Sequence, residues 1–474
     1  MKTVNTKKQW AFFLVMMLGL VGPNFSWASQ PTALELSSIP PFLSPDAKPN
    51  ILLLLDNSGS MAICAYASSA YFCSVPEQIQ LFTEMGYRAA DARGNRTQFT
   101  GYFDTNKCYA YNVDRFTPAG PRTGSPLGCR DSSRPWDGNF LNWLTMSRMD
   151  ILKSALTGGQ CDVIRSDKDK CATLIKKHGT FRRIVKFDNV GPSSTFPGVR
   201  CTEVIGSELL VWIGTNPVLG WCPSITQSTT DKTKFVRFKL RVQVEDPAQA
   251  VGVIQKTAGL ARFGLFVFNH SQGSKKLVDF GGNVLEIIKK VEEMAPTMNT
   301  PLAESLYEAI RYYAQIPPQY APADYTVGTT TDPYYQNVSR DSKKEDYQWV
   351  SCCNSFVLLV TDGLPTQDTD IPVELRDFAV RTGLYESPGH HDVCSPYHAP
   401  VPRRCVGPIS RSGMTHYLDD VAYWGHITDL RPESGPIAHI KGIDGISPQE
   451  PTTNPGGGRL SGMQSVTLYT LLTF

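Results

Sequence analysis

Residues 49–61, PNILLLLDNSGSM, constrain this chain more than any other stretch. The aliphatic run Ile51 to Leu55 leads straight into Asp56-Asn57-Ser58-Gly59-Ser60. An unbroken apolar run bounded by a turn signal reads as a strand buried on both faces, as in a parallel sheet, although a buried helix segment fits the run alone almost as well. The abrupt polar ending favours the strand. In open α/β sheets, ligands bind beyond the carboxyl ends of the strands. There the chain places D-x-S-x-S, so Asp56, Ser58 and Ser60 can aim their oxygens at one point. Oxygen donors of this kind suit hard cations, and Mg²⁺ in particular keeps several waters instead of demanding a full protein cage. By itself the motif is equally a serine-rich turn after a strand.

Two later stretches extend the pattern. Met298-Asn299-Thr300-Pro301-Leu302 opens a helix in which Leu302, Leu306, Ile310 and Tyr313 recur every three or four residues, with Pro301 where a first helical turn tolerates it. Thr300 is then a loop hydroxyl at a helix start, which is also where an N-cap sits. Phe356–Gly363, FVLLVTDG, is a second aliphatic run ending in an acid, and Asp362-Gly363 is also an ordinary turn pair. Together, D-x-S-x-S, the distant Thr and the strand-terminal Asp resemble the metal-ion-dependent adhesion site of von Willebrand factor A domains. The resemblance implies that Asp56, Ser58, Ser60, Thr300 and Asp362 hold one divalent cation, Mg²⁺ first and Ca²⁺ or Mn²⁺ as alternatives, partly through water.

In chain order, residues 1–28 carry Lys2, Lys7 and Lys8, an apolar core from Trp10 to Val21, and Ser26-Trp27-Ala28, the layout of a secretory signal peptide. The apolar core is short for a membrane span, and no later stretch is long enough for one. Residues 29–48 read as a linker, and 49–474 as one α/β domain with large insertions, because the candidate ligands run from 56 to 362. The 12 cysteines lack C-x-x-C and zinc-ligand spacing, so behind a signal peptide they read as disulfides. Local pairs such as Cys64 with Cys73, Cys161 with Cys171 and Cys394 with Cys405 suggest themselves, but the connectivity stays open. The 46 basic and 44 acidic side chains include no long basic run, which argues against nucleic acid as a partner.

The first insertion, about 62–138, reads as an irregular, disulfide-stapled excursion. Its Tyr66, Tyr71, Phe72, Tyr102, Phe103, Tyr109 and Tyr111 suit a recognition surface or local packing equally. Asn139–Leu156 reads as one helix stopped by Gly158-Gly159. The second insertion, about 160–250, reads as a β subdomain with strands at Phe181–Phe187, Leu209–Ile213 and Phe235–Val244. Ala261–Asn269 reads as a strand, Val284–Met294 and Tyr417–Thr428 as helices, and Met463–Phe474 as a last strand. Strands alternating with helices argue for a doubly wound α/β sheet. His390, His391 and His398 fall in a loop-rich stretch without a carboxylate-histidine motif, and read as exposed loop histidines.

A second resemblance rests on ordered blocks: the signal peptide, PNILLLLDNSGSM, NFLNWLTMSRMDILKSALTGG, RFGLFVFN, TPLAESLYEAIRYYAQ, FVLLVTDGLPT and YLDDVAYWGHITDLRP. In this order they resemble the N-terminal half of type IV pilus biogenesis and tip adhesin proteins of the PilC/PilY type. That family joins a von Willebrand factor A fold to a C-terminal propeller with its own calcium loop, so this chain reads as truncated before the propeller. The resemblance implies a metal-dependent adhesin and pilus biogenesis factor, exported to the cell surface, pilus tip or outer membrane of a Gram-negative bacterium. Its partners would be minor pilins and a host or surface ligand engaged through an acidic group. A non-adhesive assembly factor for the pilus tip is the alternative. A secreted metal-dependent hydrolase is disfavoured, since the chain has no G-x-S-x-G and no H-E-x-x-H; the chain is read as a non-enzyme.

Overall fold

The computed structural model describes residues 47–66, 87, 97–123, 128–214, 232–270, 272–327, 330–339, 344–351, 353–363, 365–376, 378–382, 417–433 and 460–472. The expected signal peptide, Tyr71, Phe72, His390, His391, His398, and the pairings expected of Cys73, Cys394 and Cys405 lie outside these residues. The strands are β1 (Asn50–Leu55), β2 (Lys107–Asn112), β3 (Arg115–Pro121), β4 (Trp136–Asp137), β5 (Thr173–Ile175), β6 (Thr180–Lys186), β7 (Val199–Ile205), β8 (Glu208–Trp212), β9 (Phe235–Lys239), β10 (Arg241–Gln243), β11 (Arg262–Phe268), β12 (Ser274–Val278), β13 (Tyr335–Asn337), β14 (Tyr347–Trp349), β15 (Ser355–Thr361) and β16 (Val466–Leu472). The helices are α1 (Gly138–Thr145), α2 (Arg148–Thr157), α3 (Val253–Thr257), α4 (Val284–Glu293), α5 (Leu302–Ala314), α6 (Phe378–Arg381) and α7 (Tyr417–Ile427). Among the described residues no helix is long and apolar enough to cross a membrane.

The fold is mixed α/β with several sheets, and the sheet holding β1 positions the candidate site. Its order is β12-β11-β1-β15-β16, with β12 antiparallel and the other neighbours parallel. Both faces of β1 are covered, which is why its leucines need no polar alternation. Leu53 and Leu55 pack with Met149, Leu152 and Leu156 of α2, Ile254 of α3, and Ile287, Ile288 and Val291 of α4. On the opposite face Leu54 stands in register with Phe266, whose ring lies 5.3 Å from Tyr312 of α5. Tyr313 of α5 donates to the Phe356 carbonyl of β15 at 2.9 Å. Helix α7 comes so close to α5 that a Cβ on Gly425 would stand 2.5 Å from Ile310.

The two expected insertions meet in one lobe. Strands β2, β3 and β4, in a region whose sequence shows little periodicity, join β5 and β10 in a sheet ordered β4-β2-β3-β10-β5. Strands β6 to β9 form an antiparallel four-stranded sheet, and β13 pairs with β14. Phe116, Trp136, Phe140, Phe181 and Phe187 share the lobe's core with Tyr102, Phe103 and Tyr109. Of the loop aromatics, Tyr102, Phe103 and Tyr109 are therefore core, while Tyr66 and Tyr111 are half-buried at its rim.

Two elements differ from their sequence reading. The run 235–244 is two strands in different sheets, β9 and β10, joined at fully buried Leu240. The apolar alternation runs through the junction, so periodicity does not reveal the change of partner. The helix expected over 139–156 breaks at Met146-Ser147, where Met146 is extended. Asp137 caps α1, while Ser147 and Asp150 form a reciprocal capping box that starts α2 afresh. Gly158, at φ 82°, ends α2 as expected. Disulfides join Cys161 to Cys171 and Cys108 to Cys129, and Cys64 and Cys201 are also disulfide-bonded.

Candidate metal centre

Parallel pairing carries β1 and β15 to the same edge of the sheet, Leu55 level with Val360, so the loops opening at Asp56 and Thr361 emerge side by side. Asp56 is fully buried at the end of β1. Its Oδ1 accepts from the Ser58 backbone N–H at 2.7 Å, which closes the loop into an Asx turn. Its Oδ2 accepts from the Thr361 hydroxyl at 2.7 Å and the Asp362 N–H at 3.3 Å. Ser58 and Ser60 share a hydroxyl–hydroxyl bond at 2.8 Å, and Ser60 donates to Asp362 Oδ1 at 2.7 Å. Asp56, Ser58, Ser60 and Asp362, separated by 306 positions at the extremes, are thus linked in one hydrogen-bonded chain.

Thr300 reaches this edge by another route. Ser58 bridges Met298, and the Gly59 N–H donates to the Met298 carbonyl at 3.0 Å, which lays the 297–300 segment against the D-x-S-x-S loop. Thr300 binds Thr366 reciprocally: its N–H donates to the Thr366 hydroxyl and its carbonyl accepts the Thr366 N–H, both at 3.0 Å. It does not cap α5. The cap position is Pro301, and buried Asp368 accepts from the Ala303 and Glu304 N–H groups instead. The loop beyond Asp362 is thereby fastened to the start of α5, with Thr300 between them. The described hydrogen bonds of Thr300 run through its backbone, so the structure brings four of the five expected residues into direct contact and places the fifth alongside.

Arg148, at the first position of α2, contributes a group the sequence reading did not include. Its guanidinium donates to Asp362 Oδ2 at 2.9 Å, and Asp362's side chain is fully enclosed there. The S-x-x-D capping box was readable at 147–150, but the direction of the Arg148 side chain depends on packing between segments 214 positions apart. Thr361, the second anchor of Asp56, was likewise missed inside an apolar strand.

The donor set suits a hard cation. Burial, together with the charge of Asp362, raises the Asp56 carboxyl above its ordinary value, against the lowering effect of its bonds to Ser58 and Thr361. Two carboxylates converge on one edge of the sheet, and a positive charge there relieves the cost of keeping both ionised. Among the described residues no cluster of three or more His, Cys, Asp and Glu gathers; this centre has two carboxylates, and hydroxyls make up the remainder. Asp56, Ser58, Ser60 and Asp362, with Thr300 adjoining, have the oxygen chemistry that Mg²⁺, Mn²⁺ or Ca²⁺ takes.

A mixed α/β protein with an oxygen-lined strand edge defines a broad class, which comparison with known proteins narrows. Residues 92–193 match a family model described as "PilY1 homolog, small alpha/beta domain". That segment spans β2 to β6, α1 and α2, so it includes Arg148 but none of the five expected ligands. Two curated relatives, both named type IV pilus biogenesis factor PilY1 homolog and both from Xylella fastidiosa (strain Temecula1 / ATCC 700964), are similar over short stretches. One is 44% identical over 77 residues, 15% of this chain and 6% of the relative; the other is 34% identical over 80 residues, 17% and 5%. The matched stretches thus span a small fraction of either relative. No solved structure matches the chain.

Proposed function

We propose that this chain is a type IV pilus-associated factor whose central sheet is a doubly wound von Willebrand factor A domain, and that it binds a surface or pilus ligand through a divalent cation. The observation that carries this reading is the hydrogen-bonded chain of Asp56, Ser58, Ser60 and Asp362 beyond the ends of adjacent parallel strands. The strand order supports it as well: the chain leaves β1 toward β11 on one side and β15 on the other, and such a reversal opens a crevice at the carboxyl edge.

In this reading the residues divide the work. Asp56 and Asp362 supply charge, Ser58, Ser60 and Thr300 supply neutral oxygens, and Thr361 and the Asx turn fix the direction of Asp56. A bound divalent cation would supply an electrophilic open position for an acidic group of the partner, a minor pilin or a surface ligand. No bond chemistry is involved, and the protein acts as a binding module exported to the cell surface. The name of both relatives, a biogenesis factor, favours a second reading, in which the same domain acts in pilus assembly without adhering.

The test is thermal unfolding of the purified, oxidised full chain in EDTA, Mg²⁺, Mn²⁺ or Ca²⁺, compared with Asp56→Ala. A cation that binds only the folded state stabilises it by about 2.7 kcal/mol at a concentration one hundred times its Kd. The expected result is a cation-dependent rise in wild type that Asp56→Ala abolishes; a folded wild type indifferent to all three cations would overturn the reading. Scoring pilus number and adherence separately in Asp56→Ala cells then divides adhesion from assembly. Normal piliation with lost adherence supports adhesion, and lost pili support assembly.

A further inference from the structure

We propose that Arg148 is a tethered cation that competes with the metal for Asp362, so that filling the centre releases the first turn of α2 and reports occupancy to the lobe. This rests on the metal reading above and goes beyond it, because Arg148 comes from outside the expected ligand set and from the segment matched by the PilY1 homolog domain.

Three observations converge. The Arg148 guanidinium sits on Oδ2 of Asp362, whose other oxygen is held by Ser60, so both oxygens of that carboxylate are engaged. A guanidinium is permanently charged and presents donors in a rigid fork, which makes it an effective stand-in for a metal on a carboxylate. With two carboxylates and Arg148 the edge carries one net negative charge; adding a divalent cation while Arg148 stays would place two cationic centres on one carboxylate. Their repulsion in a poorly solvated place favours exchange over addition.

The second observation is what Arg148 is attached to. It is the first residue of α2, held by the Ser147–Asp150 box, and its N–H donates to the Ile63 carbonyl at 3.0 Å. Cys64, one residue on, bridges Ser147. The short run from Ser60 to Cys64 thus ties the D-x-S-x-S loop directly to the start of α2. The third is the reach of α2: Met149, Leu152 and Leu156 pack under the central sheet, while Asp150 pairs with Lys176, just beyond β5 of the lobe, at 2.8 Å. A change at the first turn of α2 is therefore felt on both sides.

Titration calorimetry with MgCl₂ and MnCl₂, on the full chain as wild type, Arg148→Gln and Arg148→Lys, tests this. The expected result is cation affinity at least about tenfold higher in Arg148→Gln, with Arg148→Lys close to wild type. Cation binding in wild type that is unchanged or weakened in Arg148→Gln overturns it while leaving the metal reading intact; no binding in any of the three overturns both. Should Arg148→Gln fail to fold, hydrogen exchange on wild type decides. Added Mn²⁺ should slow exchange at 56–61 and 361–363 and speed it at 148–151. Slowing at 148–151 would overturn the proposal.

Discussion

The central sheet and the inserted lobe solve the same problem with different materials. On the face of β1 that meets α2 and α4 the core is mostly aliphatic and the sheet parallel, and every leucine from Leu52 to Leu55 is buried. In the lobe the core is aromatic: Phe116 lies 5.0 to 6.4 Å, centroid to centroid, from Tyr111, Phe103, Trp136 and Phe238, mostly edge to face. The disulfides Cys108–Cys129 and Cys161–Cys171 both belong to the lobe. Short strands such as β4, β5 and β10 bury little backbone each, so side-chain rings and covalent bridges must supply what long ladders supply around β1. The lesson is that a sheet of doubly covered apolar strands is specified locally, whereas a sheet built on pieces as short as β4, β5 and β10 is specified by contacts between distant segments.

The sharpest way to break this contrast is to hollow each core. Phe116→Ala should cost about 3–5 kcal/mol and Leu53→Ala about 2–5 kcal/mol. Limited proteolysis should then cut the lobe first in Phe116→Ala and the central sheet first in Leu53→Ala. Identical cleavage patterns would mean that the two cores unfold together. Next comes the covalent difference. Replacing Cys161 and Cys171 by Ser should cost roughly 3 kcal/mol by releasing a short closed loop. Reducing agent, which also opens Cys108–Cys129 and the bonds of Cys64 and Cys201, should cost wild type more than that, measured by chemical denaturation, and leave the Leu53→Ala penalty unchanged.

The smallest expected effect sharpens the contrast from the other side of the central sheet. Glu308 of α5 is buried, accepts from the Gln319 and Tyr320 N–H groups, and is pushed by burial from 4.5 up to about 7. A carboxyl raised on folding is protonated in the folded chain while ionised in the unfolded one. Its contribution is therefore complete below its ordinary value and is lost as pH rises through about 7. Wild-type stability should decline by on the order of 1–3 kcal/mol from pH 5 to pH 8, and Glu308→Gln should flatten the slope. A slope unchanged in Glu308→Gln would assign the decline to other groups, among them Glu304, also raised to about 7 by burial.

What could be read from the sequence follows the same division. Strands β1, β11 and β15 and helices α4, α5 and α7 were readable because their signals are local: a continuous apolar run, or a repeat of three and four. Most of the candidate centre was readable too, since D-x-S-x-S and Asp362 lie at the ends of such runs. Arg148 was hidden because its aim depends on how α2 packs, and Thr361 because a threonine ending an aliphatic strand looks like any β-branched residue. In the lobe, β6, β8, β9 and the Cys161–Cys171 pair were readable, but the strands of the first excursion and the pairing between distant segments were not. β10 pairs with β3 through Val242 and Phe116, 126 positions apart, and no feature of either stretch announces the other.

The place of β1 between two parallel neighbours has a mechanical consequence. It is paired with β11 and with β15 along its whole length, from Asn50 to Leu55. Tension applied at Asp56 runs along the strand axis, so the ladders on both flanks are loaded in shear. β1 cannot be peeled away one rung at a time; it must slide past both neighbours at once. β16, paired among the described residues on one flank only, has half that restraint. A tether fixed beyond β1 therefore pulls on the part of the molecule best braced against being drawn out lengthwise.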